Sequence, residues 1–216
     1  MVEQLWSLMP EFWQGFRVTL LLLVVSGITA LVIGTLIAAM RVSPVPVLSW
    51  FAAFWTEIAR NTPLTLVFFF TAFVLPMLGL RVPYLLLAFV ALSYYTSPFV
   101  AEALRSGING VPVGQAEAAR SIGLGFGTTV TLVVLPQAFR MTVPPLINVF
   151  IALTKNTSVA GGFFVVELFA TTRQLANDNG NIVIPILLVA AALYLVITVP
   201  LGFVAGMLEK RWVMSR

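Results

Sequence analysis

Long runs without a charged residue, separated by short polar clusters, set the layout of this chain. From Val18 to Met40 no charge interrupts the sequence, and at about 1.5 Å per helical residue that stretch crosses a hydrocarbon core of about 30 Å. Arg41 and the Ser43-Pro44-Val45-Pro46 punctuation end it. The next apolar stretch, Val47 to Leu80, is too long for one simple helix and is broken at Asn61-Thr62-Pro63, which predicts a partly interfacial helix to about Arg60 and a second piece from Leu64. Tyr84 to Leu104 predicts a third span, Thr128 to Leu153 a fourth and Ile182 to Leu208 a fifth. Ahead of them, residues 3–16 set Leu5, Trp6, Leu8, Met9, Phe12, Trp13 and Phe16 among Glu3, Glu11 and Gln14, the pattern of an interfacial amphipathic segment anchored by tryptophan. Its early charges are acidic, so residues 1–16 do not read as a secretory leader and are expected to stay in the mature protein. The expectation is an all-α integral membrane protein, a single transmembrane domain over residues 1–216 with roughly five spans.

Composition agrees with lipid as the solvent. The 216 residues are 60% hydrophobic and 9% charged, whereas soluble domains carry about a quarter charged residues. Histidine and cysteine are both absent, which excludes Ser-His and Cys-His nucleophiles, thiolate or imidazole metal sites and disulfides. No Gly-Lys-Ser/Thr sequence occurs either, so any ATP energy must come from another chain. Glu57, Glu102, Glu117 and Glu167 fall in different segments and form no close carboxylate pair, which argues against a membrane enzyme working by acid-base chemistry. The basic residues are scattered singly, a pattern of membrane orientation rather than of nucleic-acid binding. With the N-terminus outside, Arg41, Arg105, Arg120, Arg140, Lys210, Arg211 and Arg216 fall on the cytoplasmic side against Arg17, Arg81 and Arg173 outside, so that orientation is expected, with the C-terminus cytoplasmic. Arg60 and Lys155 remain at broken or terminal helix positions close to membrane depth, where the cost of a charge makes them site candidates.

The loop at residues 109–127 carries a further element. Pro112 suits the first turn of a helix and Gly123 its end, with alanines, Val113 and Ile122 on a slim apolar side and Gln115, Glu117, Arg120 and Ser121 around it. Such a helix either lies in a partner's groove and transmits a push, or is a solvated loop helix in which Glu117 simply pairs with Arg120.

Here the chain resembles the inner-membrane permease subunits of ABC importers. Glu117-Ala118-Ala119, followed by Gly123 and then Leu135-Pro136-Gln137-Ala138-Phe139-Arg140, is similar to the family's EAA loop. Arg60-Asn61-Thr62-Pro63-Leu64, Ala101-Glu102 with Arg105-Ser106-Gly107-Ile108, and Lys155-Asn156-Thr157-Ser158 resemble its polar amino-acid branch. Met40-Arg41-Val42-Ser43-Pro44 and Ser121-Ile122-Gly123-Leu124-Gly125-Phe126-Gly127 look most like the glutamate-uptake permeases of that branch. The resemblance implies a type I importer permease in the bacterial inner membrane, a transporter subunit rather than an enzyme, working with a second permease, identical or homologous, two ATP-binding subunits and an extracytoplasmic solute-binding protein. It implies no cofactor in this chain, ATP and magnesium being held by the partner ATPase. It also implies that Gly114, Gln115, Glu117, Ala118, Ala119, Arg120 and Gly123 form the coupling surface for that ATPase.

A transported amino acid needs donors and acceptors at membrane depth, and broken helices supply free backbone groups there. Arg60, Asn61 and Thr62 at one break, and Lys155, Asn156, Thr157 and Ser158 at another, each set one cation among short neutral polar side chains, which suits a carboxylate. Arg60 could equally pair with Glu57, and Lys155 could snorkel to the interface. Where the branch commonly has Lys-Asp, this chain has Lys155-Asn156. Lacking that carboxylate, it is expected to prefer glutamate, aspartate or a neutral amide to arginine-like substrates, unless Asn156 only caps a helix. Glutamine, arginine or histidine import on the same architecture, or a passive channel needing no ATPase, are the alternatives. Phe68-Phe69-Phe70 and Phe163-Phe164 read as packing, Gly161-Gly162 as a bend, and Glu102 as a partner for Arg105. Tyr94-Tyr95-Thr96-Ser97-Pro98 lines the pathway or kinks its helix, and residues 174–181 meet the binding protein or form a wet loop.

Overall fold

The computed structural model describes residues 2–213, so Arg216 lies outside the described residues. Every regular element among them is helical. Four helical stretches are long and apolar enough to cross a membrane, Met9–Arg41, Tyr84–Asn109, Phe126–Gly162 and Val183–Trp212, and the broken pair Pro46–Asn61 with Leu64–Met77 makes up to 5.

The first helix, α1 (Val2–Ser7), is short, and α2 (Met9–Arg41) is one uninterrupted helix. Of the expected interfacial stretch 1–16, residues 2–7 form α1 and residues 9–16 the start of α2. Trp6 and Trp13 are exposed as anchors would be, yet Phe12 and Phe16 belong to a buried cluster with Leu168, Leu175, Ile182 and Ile186. Apolar residues at i and i+4 fit an interface and a core equally well, and here helices far along the chain supply the core.

Helix α3 (Pro46–Asn61) starts on a proline and stops where Pro63 forces Thr62 into extended backbone at ψ 126°. The chain turns through 97° there and continues as α4 (Leu64–Phe69), a π-turn (Phe70–Val74) and α5 (Leu75–Met77). A second π-turn (Val130–Val134) joins α8 (Phe126–Thr129) to α9 (Leu135–Asn156). Both π-turns run directly into a Leu-Pro pair, Leu75-Pro76 and Leu135-Pro136. Proline donates no N–H and its ring crowds the carbonyl four residues back, so widening the preceding turn relieves the clash without ending the helix.

Helix α6 (Tyr84–Asn109) is the hub, packing on α2, α9, α3 and α4. Between helices in lipid no hydrophobic force drives association, so small residues that permit close approach matter most. Gly34 of α2 is such a point: a Cβ there would lie 2.6 Å from the Val100 Cβ and 2.7 Å from the Ser97 carbonyl oxygen of α6. Pro98 within α6 frees the Tyr94 carbonyl, and the Ser97 hydroxyl donates to it at 3.0 Å, which keeps the helix continuous.

The loop after α6 holds α7 (Val113–Ser121). At the other end of the bundle α9 tightens into a 3-10 turn (Thr157–Gly162), followed by α10 (Leu168–Asp178) and α11 (Val183–Val213). The phenylalanines pack as expected: Phe68 stacks on Phe163 at 5.2 Å, and Phe73 meets Phe164 edge-on at 5.6 Å.

Candidate functional site

Helix α7 is built by two local constraints. Pro112 precedes its first residue, and Gly123 at φ +90° closes it. The Gly123 N–H donates to the Arg120 carbonyl at 3.0 Å and the Leu124 N–H to the Ala119 carbonyl at 3.2 Å, the paired bonds of a left-handed helix stop. Ala119 is buried and seats the helix, while Gly114, Gln115, Glu117, Ala118, Arg120 and Gly123 are all exposed. Among the described residues Glu117 and Arg120 form no ion pair with each other or with any other group. Around them Val113, Ile122 and Phe126 are 72%, 78% and 76% exposed, an apolar rim about a polar centre.

The two other clusters of expected site residues do not merge. Asn61 turns back on its own helix, its Nδ2 donating to the Glu57 carbonyl at 2.8 Å and the Glu57 carboxylate at 3.1 Å. The Thr62 hydroxyl donates to the Ile58 carbonyl at 2.8 Å. Glu57 therefore does not pair with Arg60. Arg60 reaches across to α6 instead, 3.7 Å from the Glu102 carboxylate and 5.8 Å above the Phe99 ring. Glu102 is also held by Arg105, at 2.7 and 3.3 Å. Just past α9, in the 3-10 turn, the Thr157 and Ser158 hydroxyls donate to the carbonyls of Thr154 and Lys155, both at 2.7 Å. Lys155 is exposed, and no break interrupts the chain there, only the tightening from α9 into its 3-10 turn.

Two clefts flank α6. Thr62 lines one of ≈ 520 Å³ with Leu66, Phe70, Thr71 and Tyr94. Asn156 lines the other, of ≈ 420 Å³ between α6 and α9, where it faces Tyr95, Thr96 and Phe99 and shares its own helix face with Asn148. Phe99 links the second cleft to Arg60, whose guanidinium covers the ring from outside. A small polar molecule in that cleft would meet amides and hydroxyls between apolar walls, with no charged side chain in the lining.

Sequence reasoning passed over Glu167. This side chain is fully buried and caps α10, accepting from the N–H groups of Phe169 at 2.9 Å and Ala170 at 2.8 Å. The hydroxyls of Tyr194 on α11 and Thr19 on α2 donate to it at 3.0 and 3.4 Å. It lies outside the four long spans, and burial pushes its carboxyl above the ordinary value against the pull of those four donors. A lone glutamate ahead of Leu168 at a helix start is the only local signal.

Residues 30–214 match the family described as binding-protein-dependent transport system inner membrane component. Over 217 residues the chain is 42% identical to the glutamate transport system permease protein GluC of Corynebacterium glutamicum, covering 95% of this chain and 93% of that protein. It is 38% identical over 201 residues to the probable glutamine ABC transporter permease protein GlnP of Bacillus subtilis, covering 92% of each. Among solved structures, an amino acid ABC transporter crystallised with histidines superposes with a TM-score of 0.86 at 27% identity, covering 95% of both chains. The inward-facing MetNI methionine ABC transporter shares the fold, with a TM-score of 0.67 at 19% identity over 98% of this chain and 99% of that one.

Proposed function

From the premise that the chain belongs to the binding-protein-dependent transport system inner membrane components, we propose that it carries L-glutamate or a close acidic relative inward, by alternating access driven from α7. It is the inner-membrane permease subunit of an amino-acid ABC importer, and a separate subunit hydrolyses the ATP. A binding protein and an ATPase are thus its working partners. The proposal adds the rest: a second permease, identical or homologous, two ATPase subunits that hold ATP and magnesium while this chain holds no cofactor, and an extracytoplasmic N-terminus.

The observation that supports the acidic preference is the lining of the α6–α9 cleft, where Asn156 stands and no carboxylate does. A fixed carboxylate would favour a cationic side chain; its replacement by a neutral amide removes that attraction and leaves no charged side chain in the lining. The same amide also suits glutamine, the substrate named for a relative of 38% identity, and that is the second reading. Lys155, Asn61, Thr62, Thr157 and Ser158 belong to the pathway as supports: their hydroxyls and amides shape helix ends, and Lys155 adds positive potential.

Coupling follows from α7. Its exposed polar centre seats in a groove of the ATPase, and Gly114, Gln115, Glu117, Ala118 and Arg120 make the contact. Glu117, which forms no ion pair among the described residues, meets a polar or basic group there, and the stop at Gly123 passes the movement to α8 and α9. The test is ATP-dependent uptake of labelled glutamate into vesicles holding the full complex, competed with unlabelled aspartate, glutamine and arginine. Block by the acidic competitors is expected, and block by arginine alone would refute the acidic preference. Glu117→Arg is expected to insert normally and hydrolyse ATP without driving uptake; normal coupled uptake by that variant would remove α7 from the mechanism.

A further inference from the structure

Thr96 of α6 is 4% exposed, and its buried hydroxyl has no hydrogen-bond partner among the described residues. That is unfavourable, and most threonines of this chain avoid it simply. Thr56, Thr154 and Thr198 each donate to the carbonyl four residues back in their own helix. Thr96 does not do so, although its helix offers the Leu92 carbonyl at the same spacing. A threonine in a helix has two populated χ1 wells, and moving between them exchanges the positions of hydroxyl and methyl.

Thr96 also lines the ≈ 420 Å³ cleft. Across from it, Asn148, Ala152 and Asn156 fall at i, i+4 and i+8 on one face of α9. At the rise of an α-helix the two asparagines stand about 12 Å apart along the axis, and the small Ala152 leaves room between them. Each amide presents donors and an acceptor, so it can receive either a carboxylate or an ammonium without a fixed charge.

We propose that Thr96 and Asn148 are specificity-determining residues for the transported amino acid: the Thr96 hydroxyl takes from the substrate the hydrogen bond it lacks, and Asn148 holds the polar end of the substrate opposite the one at Asn156. The ligand class is a zwitterion whose side chain ends in a neutral or anionic polar group. This rests on the amino-acid importer reading. Asn148 does not stand out in the sequence and Thr96 does so only within the Tyr94–Pro98 stretch; the cleft brings both opposite Asn156.

The test uses the complete reconstituted importer with glutamate as probe. Thr96→Val keeps the size and removes only a hydroxyl without a partner, so its thermal midpoint should equal or exceed wild type while the KM for uptake rises at least about tenfold. Thr96→Ser should restore uptake. Asn148→Asp should shift competition from glutamate towards arginine. A Thr96→Val importer with wild-type KM, or one that loses uptake together with thermal stability, would overturn the role of Thr96. An unchanged competition profile for Asn148→Asp would overturn that of Asn148. If wild type itself shows no ATP-driven amino-acid uptake, the importer reading fails; if wild type transports and the variants match it, only this inference fails.

Discussion

Arg60 and Glu102 approach to 3.7 Å across the α3–α6 contact, while the same carboxylate is gripped at 2.7 Å by Arg105 one helical turn away. Glu102 is thus shared unequally, and Arg60 holds the looser end. Removing Arg60 leaves a complete ion pair behind, so Arg60→Ala should cost under about 1 kcal/mol. Glu102→Ala leaves two guanidinium groups without a counter-charge and should cost about 1–3 kcal/mol. Thermal unfolding in detergent compares the two; equal losses would contradict the unequal sharing.

Gly123 sits at φ +90°, a conformation that strains any residue with a Cβ. Gly123→Ala should weaken the stop of α7 by about 1 kcal/mol and reduce capture of the ATPase subunit. Gly125, at φ −67° with open space around it, is the matched control, and Gly125→Ala should capture the ATPase as wild type does. Pull-down of the ATPase by each variant decides the matter.

The approach of α2 to α6 leaves no space at Gly34. A Cβ would press on Val100 and on the Ser97 carbonyl, and because a backbone oxygen cannot swing aside, the helices must part. Gly34→Ala should therefore destabilise the bundle by about 1–3 kcal/mol. Val100→Ala in the same chain should recover only a small part of that loss, since it removes the Cγ1 contact and leaves both the Cβ at position 100 and the Ser97 carbonyl in the way. A double variant as stable as wild type would place the strain on the Cγ1 contact alone and contradict this reading.

Glu167 supplies a pH dependence. Its carboxyl is raised by burial, so the folded chain holds the proton to higher pH than the unfolded chain does. The stability it contributes is complete below the ordinary carboxylate range and declines as pH rises through the folded value. Glu167→Gln removes the titration while keeping the size. Its thermal midpoint should be lower than that of wild type in acid, and the gap should narrow as pH rises above the ordinary carboxylate range. A gap that widens with pH would mean that the four donors outweigh burial.

The spans were legible because lipid leaves a chain few options, and uncharged runs such as Val18 to Met40 mark them directly. Pro112 and Gly123 were legible for a different reason: each restricts its own backbone, so the bounds of α7 need no distant partner. Other features depend on residues far away in sequence. Phe12 and Phe16 became core because residues 168–186 cover them. Arg60 chose Glu102 over the nearer Glu57, which had turned to Asn61. The π-turns could have been anticipated from the two Leu-Pro pairs, whereas the unpaired hydroxyl of Thr96 appears only once a helix packs beside it.

Gln4 gives its amide hydrogen to Asn179 at 2.9 Å and accepts one from Asn181 at 3.1 Å, so the first helix is fastened to the turn that introduces the last. Thr19 and Glu167 repeat that closure deeper in the bundle. During synthesis α1 leaves the ribosome first, and yet the hydrogen-bond partners of its Gln4 follow only some 175 residues later. The ring of helices can therefore be sealed only near the end of translation, and a chain halted before residue 181 would carry α1 with its clasp still open.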